Sequence, residues 1–137
     1  MKKTFIAGIL VGAGMLITGV ILSQIMSFVL PAIKTQYQNP ALFRPWSDPI
    51  MSIYYLVPFI LGTILVWLWK KYLGLTGGVS SLGKGVRFAL IYWVIGIPGM
   101  VISYSTFPVS ILMVVSWSLS SFVQLIVAGL ILYRLWR

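Results

Sequence analysis

Residues 4–33 read TFIAGILVGAGMLITGVILSQIMSFVLPAI, an apolar run with Gln24 and Pro31 near its far end. A helix of about 20 predominantly apolar residues is enough to cross the hydrocarbon core of a bilayer. The run is too long for the apolar region of a cleavable signal peptide, and no small-residue cleavage site follows it. It therefore predicts a retained membrane-spanning helix, which we call segment one.

Three more apolar segments follow, at about residues 50–72, 86–104 and 107–135. Pro49 suits the first turn of segment two, with Ser47 or Asp48 as the cap. A tight turn at residues 105–106 separates segments three and four. The expected fold is an all-α membrane protein of four transmembrane helices, an antiparallel bundle that forms one domain over residues 1–137.

The composition agrees with a chain that lies mostly in lipid. Hydrophobic residues make up 60% of the sequence and charged residues 8%. A water-soluble domain usually carries about 25% charged residues. Too little polar surface is left to cover a particle in water, so the solvent for most of this chain is the lipid bilayer.

The basic residues predict how the helices are oriented. With the amino terminus in the cytoplasm, the two outer basic residues are Lys34 and Arg44. The inner set then has eight members: Lys2, Lys3, Lys70, Lys71, Lys84, Arg87, Arg134 and Arg137. Because positive charges in short loops favour the cytoplasmic side, this bias predicts that both termini are inside, the N-in/C-in topology.

The inner basic residues also predict contacts with anionic lipid head groups, at Lys70, Lys71, Lys84 and Arg87. Such residues attract anionic lipid by about 1 kcal/mol each near the membrane surface. Topology signalling alone is the alternative, and it accounts for every one of them. The net charge of +9 is not interpreted as a nucleic-acid signal, because the basic residues lie at the ends of apolar segments.

The inventory of reactive side chains is small. The chain has no Cys, no His and one acidic residue, Asp48. Zinc, haem and iron–sulfur sites draw on Cys, His or several carboxylates, and nucleophilic triads use an imidazole. We therefore expect no catalytic residue, no metal site and no cofactor, and no enzymatic activity. Asp48 is interpreted as a helix cap, with an ion pair to Arg44 as the alternative.

Small residues predict where helices approach each other. Segment one carries Gly8 and Gly12 as a GxxxG pair and Gly19 on nearly the same face, while segment four carries a stripe of residues spaced by four. In lipid, such faces allow close backbone approach. The candidate seam between segments one and four comprises Gly8, Gly12, Gly19, Ser120, Gln124 and Ala128. The alternative is that the GxxxG pair forms a homodimer.

Two interior prolines suggest a second candidate site. Pro58 and Pro98 each free the carbonyl group four residues earlier, and they lie at a similar depth in the outer half of the membrane. Distorted helices at this level predict a small outer pocket lined by Tyr54, Tyr55, Ser103, Tyr104 and Ser116. The alternative is that these are ordinary membrane prolines whose freed carbonyl groups find neighbours.

The sequence favours a non-enzymatic structural or accessory membrane subunit over transport. No Asp, Glu, Lys, Arg or His lies in the interior of a predicted span, away from its ends, although such groups mark proton relays and cation pathways. The alternative is an oligomeric channel or transporter for a neutral or anionic small solute. The expected partners are the bilayer, anionic lipid and either a second copy or another membrane protein. The charge bias favours a multi-pass protein of a cell membrane, the prokaryotic plasma membrane in particular.

Overall fold

The computed structural model describes residues 2–136, and Arg137 of the basic set lies outside this range. The elements in chain order are α1 (Lys2–Val29), α2 (Pro31–Tyr37), a 3-10 helix (Pro49–Leu56), α3 (Val57–Leu75), α4 (Leu82–Thr106) and α5 (Ile111–Leu135). Within residues 2–136, four helical stretches are long and apolar enough to cross a membrane: α1, the joined Pro49–Leu75 stretch, α4 and α5. The predicted all-α fold with four spans is confirmed, and the N-in/C-in orientation stays a prediction.

The first predicted helix is shorter than expected and is followed by a separate one. We predicted residues 4–33, whereas α1 ends at Val29 and Pro31 begins α2. Proline disfavours helical geometry in the residue before it. Leu30 accordingly takes φ −126° and ψ 81°, outside the helical region. The chain therefore changes direction at Leu30, and α2 lies beyond the first span.

The boundaries of the other spans also differ from the prediction. The second span ends at Leu75, not at residue 72, and begins as a 3-10 helix behind Asp48. The third extends over Leu82–Thr106, beyond the predicted 86–104. The fourth begins at Ile111, not at residue 107. Pro108 explains this last difference, because Phe107 before it is extended and Ser110 then caps α5.

The helices pack in the order α3–α1–α5–α4, and each neighbouring pair is antiparallel. The start of α1, the α3–α4 connection and the end of α5 share one end, which we call the basic end. The opposite end carries α2, residues 38–48 and the α4–α5 connection, and we call it the loop end. The helices α1 and α5 are thus central, while α3 and α4 flank them.

Two clusters of buried side chains hold the bundle together. The larger cluster joins α1, α3, α4 and α5 and includes Trp69 and Phe88, which are 0% and 1% exposed. The smaller one lies at the loop end, where Ile33 of α2 packs against Val109, Met113 and other residues near the start of α5. The short helix α2 is therefore part of the packed structure and covers the start of α5.

Candidate functional site

A close helix contact joins α1 to α3 through three glycines. A Cβ atom added to Gly62 would lie 2.6 Å from the carbonyl oxygen of Gly8 and 2.7 Å from the amide nitrogen of Gly12. Only a hydrogen atom fits at such a distance, so the two backbones are in direct contact. We predicted that Gly8 and Gly12 pack against segment four, whereas in the structure they pack against α3. The physical reason is Gly62, which offers α1 a smoother surface than the stripe of α5 does.

Two other residues of the candidate seam, Gly19 and Gln124, meet between α1 and α5. A Cβ atom added to Gly19 would lie 3.3 Å from the side-chain nitrogen of Gln124, so the amide packs against the glycine. Ala128 is completely buried on the same stripe, and Ser120 is half-buried. The structure therefore brings Gly19 and Gln124 together, while Gly8 and Gly12 contact α3 nearer the basic end of α1.

The structure describes the surroundings of four residues of the predicted outer pocket. Tyr54 and Tyr55 are exposed and pack with each other and with Trp46. Tyr104 is exposed on α4. Ser116 is buried, and its hydroxyl donates a hydrogen bond of 2.7 Å to the carbonyl oxygen of Met113. Tyr54 and Tyr55 thus share one aromatic cluster, and the role of these four positions in binding stays a prediction.

A different cavity, of about 280 Å³, lies at the loop end. Its lining residues are Leu42, Phe43, Ser103, Phe107, Val109 and Trp117. Ser103 is the one member of the predicted pocket among them, and its hydroxyl donates to the carbonyl oxygen of Gly99 at 2.9 Å. Sequence reasoning missed this cavity because its walls come from the loop, the end of α4 and the start of α5, which no periodic pattern connects.

One wall of this cavity is fixed by aromatic and polar contacts. The indole N–H of Trp117 donates a hydrogen bond of 2.5 Å to the hydroxyl of Tyr37, and Phe43 packs against both rings. Burial of the hydroxyl raises the pKa of Tyr37, so this group stays protonated and polar at neutral pH. These contacts therefore hold the side chains of the wall together, and the wall offers no charge to a ligand.

Gln36 connects α2 to the first turn of α5. Its amide nitrogen donates to the hydroxyl oxygen of Ser110 at 2.8 Å, and its amide oxygen accepts from the backbone N–H of Ser110 at 3.0 Å. The Ser110 hydroxyl oxygen in turn accepts from the backbone N–H of Met113, which caps the helix. The side chain of Gln36 thus anchors the loop end to the bundle.

Asp48 makes both of the contacts considered for it. Its carboxylate accepts a hydrogen bond of 2.9 Å from the N–H of Ile50 and one of 3.0 Å from the guanidinium of Arg44. The backbone hydrogen bond, followed by the contact with Arg44, lowers the pKa of Asp48 below its usual value. The carboxylate is therefore charged at neutral pH and is occupied within the loop end.

At the basic end, the four residues predicted to contact lipid differ in the contacts that their side chains make within the protein. Lys84 donates to the carbonyl oxygen of Thr76 at 2.7 Å, which caps the end of α3, and Arg87 is exposed. The ammonium of Lys71 lies 5.9 Å from the ring centre of Trp67. Lys70 donates to the hydroxyl of Thr4. Lipid binding by these residues stays a prediction.

Taken together, the described residues offer hydroxyl, amide and indole groups in the bundle and ammonium and guanidinium groups at its ends. Hydrogen bonding between helices and attraction of anions are the chemistry that such an arrangement supports. Comparisons of the chain with models of protein families, with curated proteins and with solved structures gave no match.

Proposed function

We propose that this small multi-pass membrane protein is a non-enzymatic structural or accessory subunit that associates with a second copy or with another membrane protein. The observation that carries the proposal is the position of the polar side chains of α5. The hydroxyl of the buried Ser116 is bonded to its own helix, and Gln124 packs against Gly19 of α1. Polar groups in a helix seam favour a packing role over a solute pathway.

The surface of α4 supports association with a further helix. The buried residues of α4 are Gly85, Phe88 and Ala89, all near the basic end. In its other half, a Cβ atom added to Gly96 or Gly99 would meet no atom within 4 Å. Small residues that face outward allow another helix to approach closely in lipid. We propose that this half of α4 forms the association surface.

The charges of the chain support a non-enzymatic role and a cell membrane as its location. The single acidic side chain, Asp48, is bonded to Arg44 and to the Ile50 N–H, so it is not free to act as a base. The excess of basic residues at one end of the bundle fits the inner face of a cell membrane. We propose the plasma membrane of a prokaryote.

Cysteine accessibility tests the packing role, since the native chain has no Cys. Ser116→Cys, Ser120→Cys and Gln124→Cys are treated with a membrane-impermeant thiol reagent. Ser52→Cys, at an exposed position of the loop end, is the reactive control, and Val101→Cys, at an exposed apolar position of α4, is the lipid-facing control.

We expect the three α5 variants to react as slowly as the lipid-facing control. Reaction of all three at the rate of Ser52→Cys would contradict the proposal and would favour the alternative function. That alternative is an oligomeric channel or transporter for a neutral or anionic solute.

The mass of the purified protein in a nanodisc, with identification of co-purifying proteins, tests association directly. A stable complex with another membrane protein, or a dimer lost on Gly99→Leu, supports the proposal. A monomer in nanodiscs that captures no partner from its native membrane would count against it. A closed homo-oligomer that releases an entrapped solute would move the assignment to transport.

A further inference from the structure

Two ammonium groups converge on one indole ring at the basic end. Lys3 of α1 places its ammonium 5.0 Å from the ring centre of Trp136, and Lys70 of α3 places its ammonium 5.7 Å from the same centre. Trp136 directly follows α5, so three helices contribute to the cluster. Lys70 also donates to the hydroxyl of Thr4. We call Lys3, Thr4, Lys70 and Trp136 the ammonium cluster.

The ammonium cluster lacks an acidic side chain that would balance its charge. The one acidic residue of the sequence, Asp48, is bonded to Arg44 at the loop end. Each lysine carries three donors, and the aromatic ring with the Thr4 hydroxyl uses only part of this capacity. The helix α1 begins at Lys2, and the amide N–H groups of its first turn have no hydrogen-bond acceptor within the helix. An anion would therefore be attracted to this place.

An apolar groove adjoins the ammonium cluster. It is an open space of about 520 Å³ between α1 and α3, lined by Thr4, Thr63, Ile64 and Trp67. Thr4 belongs to both the groove and the cluster, so the two are continuous. The groove is open to the surroundings of the bundle, which at this level of α3 are lipid chains under the proposed topology. A ligand that suits both parts has a negative head and an apolar tail.

We propose that the ammonium cluster and the groove form a binding site for one anionic phospholipid. The phosphate binds between Lys3 and Lys70 over the Trp136 ring, and an acyl chain lies in the groove against Ile64 and Trp67. Lys84 does not contribute to this site, since it is bonded to the end of α3. The proposed site therefore comprises only some of the basic residues of this end. It includes Lys3, which lies on a different helix from Lys70.

Paired charge variants distinguish a site from a general surface attraction. Lys3→Gln is compared with Lys2→Gln, and Lys70→Gln with Arg87→Gln, so that each pair removes one positive charge from the same end. Binding of phosphatidylglycerol and of neutral phosphatidylcholine is measured by native mass spectrometry of the full chain. Every variant carries the same C-terminal tag, which separates the terminal carboxylate from Trp136.

We expect the two site variants to bind phosphatidylglycerol at least about fivefold more weakly than their paired controls. Lys70→Arg should restore most of the binding, since it keeps the charge. Equal losses within each pair would overturn the proposal, because they would indicate only surface charge. Equal binding of phosphatidylcholine and phosphatidylglycerol by the native chain would overturn it as well.

A groove variant tests whether the bound species is a lipid or only its phosphate. Ile64→Trp fills the groove at an exposed position without changing the charge. It should weaken phosphatidylglycerol binding, and millimolar inorganic phosphate should not displace the lipid from the native chain. If the variant binds the lipid normally and inorganic phosphate competes, the site is a phosphate site and the lipid assignment is wrong. Size-exclusion profiles and thermal unfolding verify that each variant is folded.

Discussion

The glycines of the two halves of the bundle have opposite surroundings. In the basic half, Gly62 contacts the backbone of α1, and a Cβ atom added to Gly85 would lie 2.8 Å from the carbonyl oxygen of Gly129. Gly96 and Gly99, further along α4, face open space. The same residue type thus closes the bundle in one half and leaves a smooth surface in the other. This difference indicates that the stability of the fold comes mainly from the basic half.

The burial of the flanking helices leads to the same conclusion. The buried residues of α3 begin at Gly62, and the 3-10 helix before it has none. Those of α4 end at Ala89. Where α3 and α4 approach each other, Trp69 and Phe88 meet edge to face at 5.1 Å between ring centres. The loop-end halves of both helices are therefore available to lipid or to a partner.

The largest effect is expected from loss of the aromatic contact. Phe88→Ala should lower the free energy of unfolding by about 3 kcal/mol, because Phe88 is 1% exposed and packs on Trp69, Tyr72 and Tyr92. Phe28→Ala, at a position 88% exposed near the end of α1, should change it by less than about 0.5 kcal/mol. Unfolding in a mild detergent measures both. Similar losses of unfolding free energy for the two variants would contradict the conclusion that the basic half stabilises the fold more than the other half.

A smaller effect is expected where the added group is a single methyl. Gly62→Ala should lower the free energy of unfolding by about 1–2 kcal/mol, since its Cβ would meet the backbone of α1 and force the helices apart. Gly99→Ala has free space and a better helix former, so it should be neutral or stabilising by up to about 1 kcal/mol. A loss of stability for Gly62→Ala together with a gain for Gly99→Ala would support the difference between the two halves. Equal destabilisation by the two substitutions would contradict it.

The smallest effect is expected at the loop end. Gln36→Ala removes two hydrogen bonds to Ser110 and should lower the free energy of unfolding by about 1 kcal/mol. Gln38→Ala, at an exposed position after α2, is the matched control. Hydrogen exchange at the start of α5 should rise in the first variant alone. A loss as large as that of Phe88→Ala would show that the loop end carries more of the stability than its burial indicates.

The sequence by itself determined the local features of this protein. Each span was recognisable because the thickness of a bilayer sets a length of apolar chain, which any one segment meets without its neighbours. The cap at Asp48 was recognisable for the same reason, since capping involves residues two apart. The end of α1 before Pro31 and the shift of α5 to Ile111 follow from proline geometry that the length criterion ignored.

Only the tertiary structure decided which surfaces meet. Gly8 and Gly12 pack on α3 because Gly62, in the middle of an apolar helix, leaves room for their backbone. The residues around Gly62 in the sequence do not indicate this contact. The loop-end cavity and the ammonium cluster are likewise formed by residues that are far apart in the chain. In lipid, two helices associate because their surfaces are complementary. Their apolarity does not favour association, because the lipid is equally apolar. That complementarity is a property of pairs of helices, which a single segment does not contain.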